Sequence, residues 1–108
     1  MKSIKSYSAT IYIAGDIQKI KDTCRKHCLI GACVSIVPCC YVYTGGAEDG
    51  AAITTIAYPR FPKTDEEIQV EARLLAVTLL NDCCQRSCSI VYPDFTEYVE
   101  NESILIPR

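Results

Sequence analysis

The sequence has no run of roughly 18 to 20 consecutive apolar residues, the length that a membrane-spanning helix needs. It also lacks the pattern of a secretory signal, because residues 1–7 carry two lysines and lead into an alternating segment at residues 8–14 instead of a continuous apolar stretch. Both absences argue against a membrane protein and against an exported one. We therefore expect a soluble, cytoplasmic protein with no membrane partner.

The chain has little excess charge of either sign. It contains 11 Lys and Arg residues and 13 Asp and Glu residues, which gives a net charge of -2. The basic residues are scattered, apart from a small group within residues 19–27 that has the spacing of the solvent-facing side of a helix. Without a basic surface, the sequence predicts no binding to nucleic acid.

The eight cysteines include no paired Cys-x2-Cys motif, which would be the specific signature of a zinc site. In a reducing cytosol, most thiols are expected to behave as small buried hydrophobic side chains. The sequence therefore predicts no metal. Metal binding and disulfide formation remain the alternatives, and the candidate metal ligands are Cys24, Cys28 and Cys33.

No catalytic constellation stands out in the sequence. The single histidine, His27, has no nucleophile near it along the chain and is better explained as a solvated or capping residue. A cysteine nucleophile is an alternative only at Cys24 and Cys28, which lie near Arg25 and His27. The sequence thus predicts that the chain is not an enzyme and has no cofactor.

What the sequence does contain is a regular succession of strands and helices. Residues 7–14 alternate between apolar and polar side chains, which is typical of a half-buried strand. Asp16 is a suitable cap for the helix that follows, and Gly31 ends that helix. The apolar face of this predicted helix consists of Ile17, Ile20, Cys24 and Cys28.

A hairpin is predicted next. Residues 33–43 have the composition of a strand, and Pro38 within them indicates an edge strand or a bulge because proline cannot donate to a strand ladder. Turn-forming residues at 44–50 predict a loop. Residues 51–58 then predict a third strand, which pairs with the second.

The second helix has the best-marked start in the chain, because Thr64 and Glu67 form a capping-box signature. Residues 87–92 predict a fourth strand, and residues 95–99 and 104–106 are candidates for extra edge strands. The apolar stripe of the second helix consists of Ile68, Ala72, Leu75, Ala76, Leu79 and Cys83.

This order of elements predicts an α+β fold, the ferredoxin-like split βαββαβ arrangement. It has a four-stranded antiparallel sheet with two helices on one face, to which we add one extra C-terminal strand. In the order 4-1-3-2, the outer strands are the second and the fourth, where Pro38 and Pro93 are tolerated. The length fits one domain over residues 1–108, with a core at 7–92 and a C-terminal extension at 93–108.

Two groups of residues are candidates for binding. Two prolines hold the segment at residues 58–62 in a stiff, extended form, although the same segment would also serve as a rigid connector whose aromatic residue fills the core. Tyrosines of the first two strands are expected on the sheet face without helices, so that this face and the sheet edges favour a dimer or a larger oligomer. The predicted binding residues are Tyr58, Arg60, Phe61, Tyr41 and Tyr43.

The segments at residues 11–16, 41–46 and 58–62 together resemble short uncharacterised proteins encoded by bacteriophages and prophages. The resemblance implies a small accessory binding protein in the host cytosol that inhibits a component of host defence by binding a host protein. The alternative is an oligomeric protein that binds or sequesters a small anionic ligand, such as a nucleotide signal, in a cleft beside Arg60.

Overall fold

The structure is a computed structural model, and it describes residues 1–60 and 62–105. Within them, the strands and helices follow the predicted order, including the extra C-terminal strand, and one short helix follows that strand. The strands are β1 (Thr10–Ala14), β2 (Val34–Tyr43), β3 (Gly46–Thr55), β4 (Ser87–Val91) and β5 (Thr96–Glu100), and the helices are α1 (Ile17–His27), α2 (Asp65–Asp82) and α3 (Glu102–Leu105).

The five strands form one antiparallel sheet in the order β2-β3-β1-β4-β5. This order contains the predicted 4-1-3-2 arrangement, so the ferredoxin-like fold class is confirmed, together with the extra C-terminal strand. One detail differs from the prediction. Because β5 pairs along the outer side of β4, the outer strands are β2 and β5, and β4 lies inside the sheet.

The register of the sheet explains which side chains are buried. Ile11 of β1 lies opposite Ile53 of β3 and Ile90 of β4, and all three face the helices. On the next position, Tyr12 lies opposite Ala52 and faces the side of the sheet without helices. The largest fully buried side chains are Ile11, Ile13, Ile20, Ile53, Leu75, Leu79, Leu80, Ile90, Thr23 and Cys24.

Both long helices begin where the sequence predicted. The Asp16 side chain accepts a hydrogen bond from the Lys19 backbone N–H at 3.0 Å, which caps α1. At the start of α2, the Thr64 hydroxyl accepts from the Glu67 N–H while the Glu67 carboxylate accepts from the Thr64 N–H, so the capping box is complete. α1 continues through a short 3-10 turn to Gly31, whose φ of 96° suits glycine.

The predicted loop at residues 44–50 is wrong. β2 and β3 stay paired from Val34 opposite Thr55 up to Tyr43 opposite Gly46, which leaves a two-residue turn. Glycine and acidic residues are uncommon in strands, so the composition of the first half of β3 predicted a loop. Cross-strand contacts support the strand instead, since the Tyr43 hydroxyl donates to the Glu48 carboxylate at 2.9 Å.

The predicted strand at residues 51–58 and the first strand at residues 7–14 also have different limits. β3 ends at Thr55, and β1 begins only at Thr10, although the alternation is visible earlier in the burial of Tyr7 and Ala9. β1 reaches only from Gly50 to Thr54 along β3. The hairpin therefore extends past β1 as an arm formed by residues 40–49, which no other described strand flanks.

The C-terminal extension contains β5, as predicted, but not a second strand at residues 104–106. Residues 104 and 105 belong to α3, and residue 106 lies outside the described residues. The buried Asn101 side chain accounts for the change of direction. Its amide donates to the carbonyls of Leu80 and Gln85, and its oxygen accepts from the Ser103 N–H. In the described part of the chain, no helix is long and apolar enough to cross a membrane.

Candidate functional site

A cavity of about 240 Å³ opens at one end of the sheet, between the end of α1, the first half of α2 and the segment before β1. Its volume lies below the roughly 300 to 1,000 Å³ of typical ligand pockets, so it suits a small ligand or one part of a larger one. Apolar side chains form most of its wall: Ile4, Ala32, Val34, Ile56, Ala57, Ile68, Ala72 and Leu75.

Two opposite charges stand together in this apolar wall. The Lys63 ammonium contacts both carboxylate oxygens of Glu71, at 2.7 and 2.9 Å, and the two side chains are only 26% and 24% exposed. Glu71 lies one turn from Ile68 on the face of α2 that points into the cavity. Such partial burial makes the pair less screened by solvent than an ordinary surface salt bridge.

His27 completes this charged corner from the end of α1. It is half-buried and lines the cavity, so the predicted solvated role holds only in part, and its side chain makes no cap hydrogen bond to the 3-10 turn. Burial lowers the pKa of its imidazole, while Glu71 acts in the opposite direction and Lys63 lowers the pKa further. The imidazole is therefore mostly neutral at pH 7. The charges in this corner of the cavity are those of Lys63 and Glu71.

Tyr7 closes the cavity on the side of the N-terminal segment. Its hydroxyl donates to the Asp94 carboxylate at 3.0 Å and accepts from the Gln69 amide at 2.9 Å. Its ring stacks on Tyr92 at a centroid distance of 6.1 Å. These contacts fix the orientation of the ring, so this part of the wall is already ordered before a ligand binds.

The segment at residues 58–62 reaches this cavity only in part. Tyr58 lines it and is 47% exposed, and Arg60 is exposed in the turn that follows. Phe61 lies outside the described residues. The binding roles of Tyr58, Arg60 and Phe61 stay predictions.

Tyr41 and Tyr43 lie elsewhere, on the sheet face without helices. Nine residue steps of β3 separate the partner of Tyr43 from Thr55 at the cavity, which corresponds to about 30 Å. The Tyr41 hydroxyl donates to the Ala51 carbonyl at 2.6 Å, which gives this ring a structural role beside any binding one. The predicted binding residues that the structure describes thus belong to two surfaces, and binding at either one stays a prediction.

The two candidate nucleophiles, Cys24 and Cys28, have thiols with raised pKa values. Cys24 is buried in the core, and burial raises the pKa of its thiol to about 12. Burial also raises the pKa of Cys28. Because a nucleophilic cysteine needs a lowered pKa, these raised values argue against a cysteine nucleophile at either position. Cys33 is exposed, and no group of three or more His, Cys, Asp and Glu side chains in residues 1–60 and 62–105 could hold a metal ion.

Lys63, Glu71 and Tyr7 were not predicted from the sequence as residues of this cavity. Glu71 follows the Ile68 position of the apolar stripe by three residues, and that spacing brings it to the same helix face. A charged residue beside an apolar stripe was therefore the available signal. Nothing in the sequence indicated that Lys63 would meet it, since that contact depends on how the chain enters α2.

Two solved structures share this fold. A phage SAM lyase in its apo state aligns with a TM-score of 0.66 and 17% identity over 93% of this chain and 94% of the other. A phage SAM lyase in complex with S-methyl-5'-thioadenosine aligns with a TM-score of 0.59 and 15% identity over 89% of this chain and 90% of the other. No protein-family model and no curated protein matches the sequence.

These neighbours overturn one prediction. The chain was predicted not to be an enzyme because no catalytic motif is visible in its sequence, but the two solved structures described above are named SAM lyases. A missing motif is therefore no argument against catalysis on this fold. The neighbours are phage proteins, which agrees with the phage-related character that the resemblance implied.

Proposed function

We propose that this chain binds S-adenosylmethionine (SAM) at the cavity between α1 and α2 and cleaves it as a lyase. The observation that carries the proposal is the fold, which a phage SAM lyase shares over 93% of this chain. One neighbour was solved with S-methyl-5'-thioadenosine bound, and this small molecule contains the adenosine and sulfur of SAM. The proposal favours the small-ligand alternative of the sequence analysis over an inhibitor that acts by binding a protein.

The chemistry of such a reaction makes modest demands on the protein. The sulfur of SAM carries a positive charge, so it leaves readily when the bond to the four-carbon amino-acid chain breaks. The electron pair of that bond stays on sulfur and gives the neutral S-methyl-5'-thioadenosine. Without water as a reactant, the four-carbon fragment either closes on its own carboxylate or loses a proton to a base. Neither route requires a nucleophilic side chain or a metal.

The cavity supplies what this reaction needs from a binding site. Its apolar wall favours loss of charge at sulfur, because a less polar surrounding destabilises the charged reactant more than the neutral product. Glu71 provides a carboxylate in this wall, where it is paired with the Lys63 ammonium. His27 is mostly neutral and adds no opposing positive charge.

The test is direct product analysis. The purified chain is incubated with SAM, and S-methyl-5'-thioadenosine and the four-carbon product are quantified by liquid chromatography and mass spectrometry against heat-inactivated protein. We expect S-methyl-5'-thioadenosine well above the background of spontaneous decay. A four-carbon product that is a lactone or an alkene, and not the hydrated amino acid, would identify the reaction as that of a lyase.

A cavity-filling variant locates the reaction. Ala57 is exposed and lines the cavity, so Ala57→Trp should fill the entrance without disturbing the core. We expect it to lower the rate by about 100-fold, because misplacing a substrate by a single ångström already has effects of that size. The matched control is Ala47→Trp in the arm, which should keep the wild-type rate. Equal rates for both variants would place the reaction outside the cavity, and no product from the wild type would contradict the proposal.

A further inference from the structure

The proposed activity does not explain why Lys63 and Glu71 form an ion pair in the wall of the cavity. The two charges neutralise each other at 2.7 Å, yet they stand in a wall made mostly of apolar side chains. Partly burying an ion pair costs desolvation free energy that apolar side chains of the same size would not incur. We therefore expect the pair to have a function other than stabilising α2.

The geometry of the pair matches one kind of chemical group. It places an ammonium donor and a carboxylate acceptor side by side, within one cavity and on one wall. The free end of an amino acid has the complementary arrangement, with an ammonium and a carboxylate on the same carbon. Exchange of partners would give each of the four charged groups a new opposite charge, so no buried charge would be left unpaired.

The size of the cavity agrees with this choice. At about 240 Å³ it is smaller than typical pockets for whole drug-sized ligands, so it would hold one end of an extended molecule. Ile68 and Leu75 line the same space and would contact the methylene groups of an amino-acid chain. A nucleoside at the other end would then extend toward the opening.

We propose that Lys63 and Glu71 form a specificity site for the amino-acid zwitterion of the substrate, with Lys63 binding its carboxylate and Glu71 binding its ammonium. This inference rests on the proposed function and goes beyond it, because it assigns the two residues to one end of the ligand. It predicts that the pair distinguishes ligands with the zwitterion from ligands without it.

Two stable ligands separate these cases. S-Adenosylhomocysteine keeps the zwitterion, and its neutral sulfur is a poor leaving group, so it remains intact during a titration. S-Methyl-5'-thioadenosine keeps the nucleoside and lacks the zwitterion. Dissociation constants for both are measured by isothermal titration calorimetry with the wild type and with Lys63→Met and Glu71→Gln. Thermal melts of each variant confirm that it is folded.

We expect each variant to weaken S-adenosylhomocysteine by about 10- to 100-fold, the usual loss for a hydrogen bond to a charged group. S-Methyl-5'-thioadenosine should bind within about threefold of the wild type. Arg73→Met is the matched control, since it removes the cation of another ion pair on α2, that of Arg73 with Glu97 at 2.9 Å, away from the cavity. It should leave both affinities unchanged.

The failures are distinguishable. If the wild type binds both ligands and the two variants weaken them equally, or weaken neither, the zwitterion site is refuted while the proposed function stands. If the wild type binds neither ligand, the proposed function fails and the zwitterion site fails with it. A decarboxylated analogue of SAM sharpens the assignment, because its affinity should depend on Glu71 and not on Lys63.

Discussion

The two ends of the β2–β3 hairpin differ in what surrounds them. At one end, Val34 and Thr55 line a cavity beneath the helices, where charged side chains are paired inside an apolar wall. At the other end, the arm carries Val42 and Tyr43 with 80% and 51% of their surfaces exposed. The same two strands thus line a cavity of a size suited to a small molecule at one end, and at the other end they form an exposed surface too large for a small molecule to cover.

The helical layer and the length of β1 create this difference. Both helices pack on the sheet where β1, β3 and β4 are paired, and β1 stops at Ala14 opposite Gly50. Beyond this point the hairpin has only its own two strands, which are marginal in water when nothing covers them. Self-association through the arm and the open sheet face would cover them, and it stays a prediction.

The largest effect is expected from a substitution at Gly50, which lies opposite the last residue of β1. A Cβ at this position would collide with the Ile13 carbonyl oxygen and would lie 2.7 Å from the Ala14 Cα and 2.8 Å from the Tyr41 ring. Backbone atoms of a paired strand cannot move aside without losing the pairing. We expect Gly50→Ala to lower the free energy of unfolding by about 3 kcal/mol, measured by urea denaturation.

Gly46 provides the control for this substitution. The three heavy atoms nearest to a Cβ there all belong to the Tyr43 side chain, at 3.1 to 3.3 Å, and this exposed side chain can shift by a few tenths of an ångström. Gly46→Ala should therefore change stability by less than about 0.5 kcal/mol. A loss as large as that of Gly50→Ala would mean that the arm is as tightly packed as the sheet. This result would contradict the difference between the two ends of the hairpin.

A smaller effect is expected at the start of α2, next to the cavity. Thr64→Ala removes the hydroxyl that accepts from the Glu67 N–H at 3.1 Å and so breaks the capping box. We expect a loss of about 1 kcal/mol in the free energy of unfolding. Thr44→Ala, in the exposed turn of the arm, should stay within about 0.5 kcal/mol of the wild type. Equal losses at both sites would argue that the cap contributes nothing specific.

The sequence predicted the helices and the sheet better than it predicted the arm. Strand and helix order and both helix starts followed from local signals such as the Asp16 cap and the Thr64 capping box. The order of the first four strands in the sheet followed from the succession of elements. The hairpin arm did not, because residues 44–50 have the composition of a loop and become a strand only through pairing with β2. The cross-strand partner, and not local preference, decides the conformation there.

The candidate site was less predictable than the fold for a related reason. Tyr58 was predicted from the prolines of its segment and lines the cavity, whereas His27 comes near Glu71 only because the end of α1 packs beside α2. Lys63 reaches Glu71 only through the path of the chain into α2. Such a site consists of ordinary residues brought together by tertiary structure. A site formed by a motif within one short segment is easier to predict from sequence than a site assembled from distant segments.

The smallest expected effect concerns His27 and the dependence of stability on pH. Burial lowers its pKa in the folded state, so below about pH 6.5 the unfolded chain binds more protons than the folded one. Stability should therefore fall as the pH drops from about 7 toward the lowered pKa of the folded state. His27→Gln cannot take up this proton and should lose less stability over the same range.

The measurement is the difference in melting temperature between the wild type and His27→Gln, followed from about pH 7.5 to pH 5.5. The difference should shift in favour of the variant as the pH decreases. A protonated His27 would also place a second positive charge beside Lys63, so the affinity for a cationic ligand should weaken over the same range, and the variant should escape this effect. A constant difference in melting temperature would show that the imidazole is as free to take up a proton as in the unfolded chain, and the cavity end would then be as open to solvent as the arm.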